Sequence, residues 1–220
     1  MTDQEIIDSL PVFRMVINPE NEAFVHAVAL TNDPAHSSMY LAFNNDPAEL
    51  VFSSDESKNE VLGAAIIPNK KILRKPNNVF NGYHNIVFEA DDIRLMSKEF
   101  FKQGFHHNIN INHTDKTVEG YFFQSIIIGD EVGQGRVNGL DLPNGSWVLG
   151  CQIEDAETFE AVKKWGYSVE GLFNYMGYDS AQVADIQSIQ LSDEQLLAIE
   201  LIKLTEYMNK VKHNQYNKKQ

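Results

Sequence analysis

Short segments in which polar and apolar residues alternate dominate the first third of the chain, and this pattern constrains the fold more than any other feature. A period of two is typical of β-strands that bury one face, and the Asn, Asp, Pro and Ser residues between the segments are typical of turns. The pattern predicts five strands here, at 13–18, 23–30, 39–44, 49–53 and 60–68. Residues 69–88 are predicted to begin as a loop, with a further strand at 85–89.

Helical patterns enter the chain later, between further strands. A helix is predicted over 91–105, where Asp91 or Asp92 can cap the first turn and Gly104 can end the helix. Its apolar stripe consists of Ile93, Met96 and Phe100. A second, shorter helix is predicted over 155–164, beginning near Asp155. The strands predicted in this part are 108–112, 119–128, 145–154 and the "YSVEGLF" segment 167–173. The fold class is therefore α+β, with strands in the majority.

The C-terminal segment carries the strongest helical pattern. Ser192 and Gln195 form a capping box, and five apolar residues then recur at spacings of four and three: Leu197, Leu201, Leu204, Met208 and Val211. This amphipathic helix either packs against its own domain or provides a contact for a partner or a second copy. We predict a main domain over 1–185, followed over 186–220 by the helix and a polar tail.

Composition excludes several classes of protein. A formal net charge of −13 opposes binding to a polyanion such as nucleic acid. No apolar run approaches the roughly 20 residues that a membrane-spanning helix needs, so no membrane contact is predicted. A single cysteine excludes an internal disulfide framework, and the acidic N-terminus does not resemble a secretory signal, so a reducing cytoplasm is expected.

One strand places two reactive side chains on the same face. In "WGYSVEGLF", Ser168 and Glu170 are two residues apart and therefore point the same way, whereas Val169 points the other way. A serine hydroxyl is a weak nucleophile until a neighbouring base takes its proton, and histidine is the usual base. Among seven histidines, His113 closes the alternating strand "NININ" and is the best placed at a strand end.

The surroundings of this pair resemble a known family. The ordered set consists of "FFKQGFHHNININ" followed by His113, a glycine at Gly120, "GSWV" at 145–148, a short Glu- and Lys-rich helix, and "GYSVEG" at 166–171. It is similar to the prohead (capsid maturation) serine proteases of tailed bacteriophages, in particular the XkdF-like group, which is related in fold to herpesvirus assemblin. The resemblance covers roughly residues 10–175 and implies a mostly antiparallel β-barrel-like core.

The resemblance implies Ser168 as the nucleophile and His113 as the general base. A third group that orients the imidazole is expected, because a serine–histidine pair works better with one. Glu119, on the strand after the His113 turn, is the principal candidate, and Asp115 and Glu170 are the alternatives. Related phage proteins often carry Glu where this chain has Gln124, so an orienting role for that Glu would leave this copy weakened.

The implied function is a serine endopeptidase that cleaves scaffold and major capsid proteins inside the immature phage capsid, in the cytoplasm of the bacterial host. The alternative is a catalytically silent protease-fold protein that acts as a structural component of the virion or scaffold. Self-association through the C-terminal helix is a further expectation.

No cofactor or metal is predicted. His106, His107 and His113 lack the spacing of a tetrahedral metal site, and "GDEVGQG" at 129–135 does not follow the pattern of a phosphate-binding loop. Cys151 alternates with apolar neighbours and is predicted to be a buried small hydrophobe rather than a nucleophile.

Overall fold

The computed structural model describes residues 9–21, 23–32, 53–76, 80, 82–129 and 142–175. The chain divides into two compact units. The larger consists of Val12–Ile72 and Ile86–Gly177, and it contains every residue of the predicted site. The predicted strand at 39–44, most of the one at 49–53 and the C-terminal helix lie outside the described residues, as does the proposed domain boundary near 185.

The described residues contain eleven strands and two α-helices. The strands are β1 (Val12–Val16), β2 (Val25–Thr31), β3 (Ser53–Asp55), β4 (Glu60–Ile66), β5 (Ile72–Arg74), β6 (His84–Val87), β7 (Ile109–Ile111), β8 (Gly120–Ile127), β9 (Trp147–Ile153), β10 (Gly166–Gly171) and β11 (Asn174–Tyr175). The helices are α1 (Ala90–Lys102) and α2 (Ala156–Val162). The predicted α+β class with a majority of strands is confirmed; β5 and β11 were not predicted.

Two sheets of the larger unit carry its core. Strands β3, β4, β9 and β8 form an antiparallel sheet in that order. Strands β10, β2 and β7 form a second sheet, in which β10 is antiparallel and β7 parallel to β2. In addition, β1 pairs with β11. The described strands thus form separate sheets, and no closed barrel is found among them.

Aromatic side chains from both sheets meet in the core. The Tyr167 ring of β10 packs edge-on against Phe122 of β8, with 5.6 Å between centroids, and its hydroxyl donates to the Val61 carbonyl of β4. Trp147 of β9 is fully buried, and its indole N–H donates to the Ser125 hydroxyl at 2.9 Å. Because Tyr167 occupies the core face of β10, its neighbour Ser168 lies on the opposite face.

Helix α1 covers the core with the predicted stripe. Ile93, Met96 and Phe100 are all fully buried, as their spacing requires. The predicted cap was wrong, because Glu89 occupies the N-cap position and its side chain makes no capping hydrogen bond. Asp92 instead accepts a hydrogen bond from Arg14 at 2.9 Å, so its carboxylate is used for an ion pair with β1.

Helix α2 delivers the chain into β10. Asp155 is its N-cap, as predicted, and its carboxylate accepts from the Thr158 amide at 2.7 Å. This hydrogen bond lowers the pKa of Asp155 below its usual value. Phe159 and Val162 anchor the helix in the core. No helix in the described part of the chain is long and apolar enough to cross a membrane.

The smaller unit is described only over 9–11, 73–76, 80 and 82–85. Within it, the Asn85 amide donates to the Pro11 carbonyl at 2.8 Å, and the buried His84 ring packs against Phe80. Burial lowers the pKa of His84.

Candidate active site

The sheet formed by β10, β2 and β7 brings the predicted residues together. Ser168 on β10 lies opposite Ala29 on β2, and Ala29 lies opposite Asn110 on β7. Side chains directly opposite each other in a sheet share a face. Ser168 and Asn110 therefore point to the same side of the sheet, with only the small, fully buried Ala29 between them.

Glu170 lies on this face and contacts His113. Its Oε1 is 2.8 Å from the His113 Nδ1 and also accepts a hydrogen bond from the Asn110 Nδ2 at 2.6 Å. An ionised carboxylate can only accept hydrogen bonds, so this contact requires the proton to be on Nδ1. The lone pair of the neutral imidazole is then on Nε2, which is the form a general base needs.

His113 sits in a tight turn directly after β7. The Thr114 amide donates to the Ile111 carbonyl at 3.0 Å, and the two central residues, Asn112 and His113, have positive φ values of 51° and 56°. This region is uncommon for residues other than glycine, and such outliers cluster at functional sites. The turn replaces the strand end that the sequence predicted for His113, and it directs the ring back toward Glu170.

A bulge in the β10–β2 pair follows immediately after Glu170. Glu170 pairs with Ala27, but the next residue, Gly171, pairs with Val25, so the register shifts between them. Bulges re-aim side chains and are frequent near active sites. Gly171 is required here because a Cβ at this position would clash with the Phe24 carbonyl oxygen.

Ser168 is buried, with only 6% of its surface exposed. Its Oγ makes no hydrogen bond with His113 or with any other described residue. Serine–histidine hydrogen bonds are often long or absent without substrate and form in the substrate complex.

The other two carboxylates considered as the group that orients the imidazole form no hydrogen bond with His113. Glu119 is exposed directly before β8, where its carbonyl accepts from the Glu154 amide at 2.9 Å. Asp115 is exposed in the turn after His113. Within the described ranges, neither carboxylate forms a hydrogen bond or an ion pair. Of the three candidates, only Glu170 is placed against the imidazole.

Gln124 lies in the other sheet. It is exposed on β8, and its side chain covers Gly150 of β9, where a Cβ would be 2.7 Å from the Gln124 Oε1. Gln124 takes no part in the hydrogen bonds of His113.

Asn110 is the site residue that sequence reasoning missed. Its alternation with Ile109 and Ile111 does place it on the polar face of the strand. What brings it to Glu170 is the parallel pairing of β7 with β2, which joins segments about 80 residues apart in the chain. No local pattern reports such a pairing.

Cys151 is buried as predicted. It is fully inaccessible on β9, and burial raises the pKa of its thiol to about 12. Because the thiolate is the reactive form, we expect native protein to resist modification by 5,5′-dithiobis(2-nitrobenzoate) at pH 8. One thiol per chain should react once guanidinium chloride unfolds the protein, whereas rapid reaction of the native protein would contradict the burial.

A comparison with models of protein families assigns the chain to one of them. The family described as "Putative phage serine protease XkdF" matches residues 49–176, which is more than half of the sequence. The chain belongs to this family. The matched range of the XkdF-family chain includes the site residues Asn110, His113, Ser168 and Glu170. No curated protein and no solved structure matches the chain.

In the described part of the structure, no group of three or more His, Cys, Asp or Glu side chains is arranged to hold a metal ion. His106 and His107 do approach each other, with 4.4 Å between ring centroids. The His106 ring stacks on Phe101, and the His107 ring packs at a tilt against Tyr121.

Proposed function

We propose that this chain is a serine endopeptidase in which Ser168 is the nucleophile, His113 the general base and Glu170 the group that orients His113. The observation that supports this most strongly is the 2.8 Å contact between the His113 Nδ1 and the Glu170 Oε1, on the sheet face that carries Ser168. The proposal exchanges Glu119, the principal candidate from sequence, for Glu170.

The reaction follows from this arrangement. The Ser168 Oγ attacks the carbonyl carbon of the scissile peptide bond while its proton passes to the His113 Nε2. Glu170 stabilises the imidazolium that results, because its carboxylate accepts a charge-assisted hydrogen bond from the Nδ1–H group. The imidazolium then protonates the leaving amine, and an acyl-enzyme forms on Ser168. Water, deprotonated by His113, hydrolyses the ester and restores the free serine.

The biological role that we propose is maturation of the phage prohead. The substrates are scaffold and major capsid proteins, and cleavage takes place within the immature capsid in the host cytoplasm. Membership of a phage serine protease family supports the phage and protease components of this role. The relation in fold to herpesvirus assemblin stays a prediction.

Intact-mass spectrometry tests this role directly. Purified protein is mixed with scaffold and capsid proteins of the same phage, and masses are followed over time beside a Ser168→Ala control. We expect new fragments in the wild-type sample alone, and their termini locate the cleavage sites. Cleavage of an unrelated protein at comparable rates, with the phage proteins left intact, would argue against prohead maturation while leaving peptidase activity in place.

The catalytically silent alternative rests on one observation, the missing hydrogen bond between the Ser168 Oγ and His113. A silent protein would leave Ser168 unreactive even toward small electrophiles. Reactivity of Ser168 toward such reagents therefore separates the two functions without knowledge of the natural substrate.

Gln124 provides a further prediction. If Glu170 orients His113, Gln124→Glu should leave cleavage rates within about twofold of wild type, because a surface substitution away from the site has little effect on function or stability. The rates are measured on a peptide that spans a cleavage site located by mass spectrometry. A large gain in activity would instead assign the orienting role to position 124.

A further inference from the structure

Asn110 uses both ends of its side-chain amide within the site. Its Nδ2 donates to the Glu170 Oε1 at 2.6 Å, and its Oδ1 accepts from the backbone N–H of His113 at 3.1 Å. The reverse orientation of the amide would place Oδ1 against the carboxylate and Nδ2 against an N–H group. Only the observed orientation matches donors with acceptors.

These bonds close a ring of three residues. The His113 Nδ1 contacts the Glu170 Oε1, the same oxygen accepts from Asn110, and Asn110 holds the backbone of His113. The three residues come from the β7 strand, the turn that follows it and β10, so the ring fixes the turn relative to the strand of the nucleophile. It also anchors His113 at its positive φ of 56°.

We propose that Asn110 is a positioning residue that sets the distance and orientation of the imidazole relative to Glu170 and Ser168. This inference rests on the proposed function. Asn110 acts through His113 and Glu170 and does not itself contact the reacting atoms. An amide is required, since position 110 must donate on one side and accept on the other, and a carboxylate cannot donate.

Two substitutions test the role in different ways. Asn110→Ala removes both hydrogen bonds, and Asn110→Asp keeps the shape of the side chain but sets a second carboxylate against Glu170. Asn108→Asp is the matched control, because Asn108 lies two residues earlier and its Nδ2 donates to the His26 carbonyl at 2.9 Å, outside the ring.

The first readout is the rate of labelling by a fluorophosphonate, which forms a P–O bond with the Ser168 Oγ as fluoride leaves and His113 takes the proton. We expect labelling to slow by about 10²-fold in both Asn110 variants, since small displacements of a catalytic group cost about this much. The Asn108→Asp control should label within about twofold of wild type.

The second readout is the tautomer of His113, measured by NMR on protein with ¹⁵N-labelled imidazole rings and assigned with His113→Gln. We expect the Nδ1–H form in the wild type and in Asn108→Asp, and a mixture of both tautomers in Asn110→Ala. A residue that only stabilised the fold would not change which ring nitrogen carries the proton.

The outcomes separate this inference from the proposed function. If wild-type protein is not labelled, the peptidase proposal fails, and the tautomer measurement still decides whether Asn110 orients His113. If wild type is labelled but the Asn110 variants keep wild-type rates and the Nδ1–H tautomer, the role of Asn110 is overturned. Loss of the cooperative unfolding transition in both Asn110 variants would assign Asn110 to the fold and likewise overturn it.

Discussion

Ser168→Ala will abolish peptide cleavage and fluorophosphonate labelling while leaving the fold intact. The expected loss of kcat is on the order of 10⁵- to 10⁶-fold, because removing the nucleophile leaves only the binding and electrostatic contributions of the site. Stability should change by about 1 kcal/mol or less, because the Ser168 hydroxyl makes no hydrogen bond with the described residues whose loss would leave a buried partner unsatisfied.

The measurement combines intact mass, labelling and thermal unfolding on one pair of samples. A single mass increase on wild type, mapped by peptide sequencing to Ser168 and missing from Ser168→Ala, would establish the nucleophile. Ser125 is the control position in the same wild-type protein. It is also a strand serine, but its hydroxyl accepts a hydrogen bond from the Trp147 indole and contacts no described base, so it should stay unlabelled. Label on another serine, or cleavage that persists in the alanine variant, would refute the role of Ser168.

Glu170→Gln will lower kcat by about 10²- to 10⁴-fold, with a much smaller effect on KM. The neutral amide can present an N–H group to the His113 Nδ1, which favours the tautomer that carries its proton on Nε2 and cannot accept one from serine. Loss of the orienting carboxylate in serine proteases acts in this way. The variant keeps the size of the side chain, so the β10–β2 pairing should not change.

Glu119→Gln is the matched control for Glu170, because it makes the same chemical change at the residue that the sequence favoured. We expect its kcat and KM to stay within about twofold of wild type, since the exposed Glu119 carboxylate forms no hydrogen bond or ion pair with the described residues. Both variants are assayed with one peptide under one set of conditions. A large loss in Glu119→Gln together with wild-type rates in Glu170→Gln would restore the assignment made from sequence and refute the one made from geometry.

Local patterns predicted most of the described elements because each depends on near neighbours in the chain. Alternation located β4, β8 and β9, and the stripe of Ile93, Met96 and Phe100 located α1. The predicted N-cap of α1 was wrong because the helix begins at Ala90, so Asp91 and Asp92 lie inside its first turn. Asp92 accepts its hydrogen bond from Arg14, 78 residues away in sequence, and no local pattern reports that contact.

The sequence did not determine which residue orients His113 either, because that residue also depends on a contact between distant parts of the chain. Asp115, Glu119 and Glu170 are all compatible with the spacing rules for a group that must reach His113, and proximity along the chain favours the first two. In the structure, His113 is bound instead by a carboxylate 57 residues away. The two left-handed residues of its turn direct the ring away from its sequence neighbours, and no periodicity encodes that reversal.

The sequence by itself determined the α+β class, the face shared by Ser168 and Glu170, and the buried state of Cys151, since all three follow from the periods of strands and helices. Only the tertiary structure decided that Glu170 and Asn110, not Glu119, surround His113. That outcome depends on the parallel pairing of β7 with β2 and the antiparallel pairing of β10 with β2. Such pairings are selected by burial and backbone hydrogen bonding across the whole unit, so they are properties of the packed chain and not of any one segment.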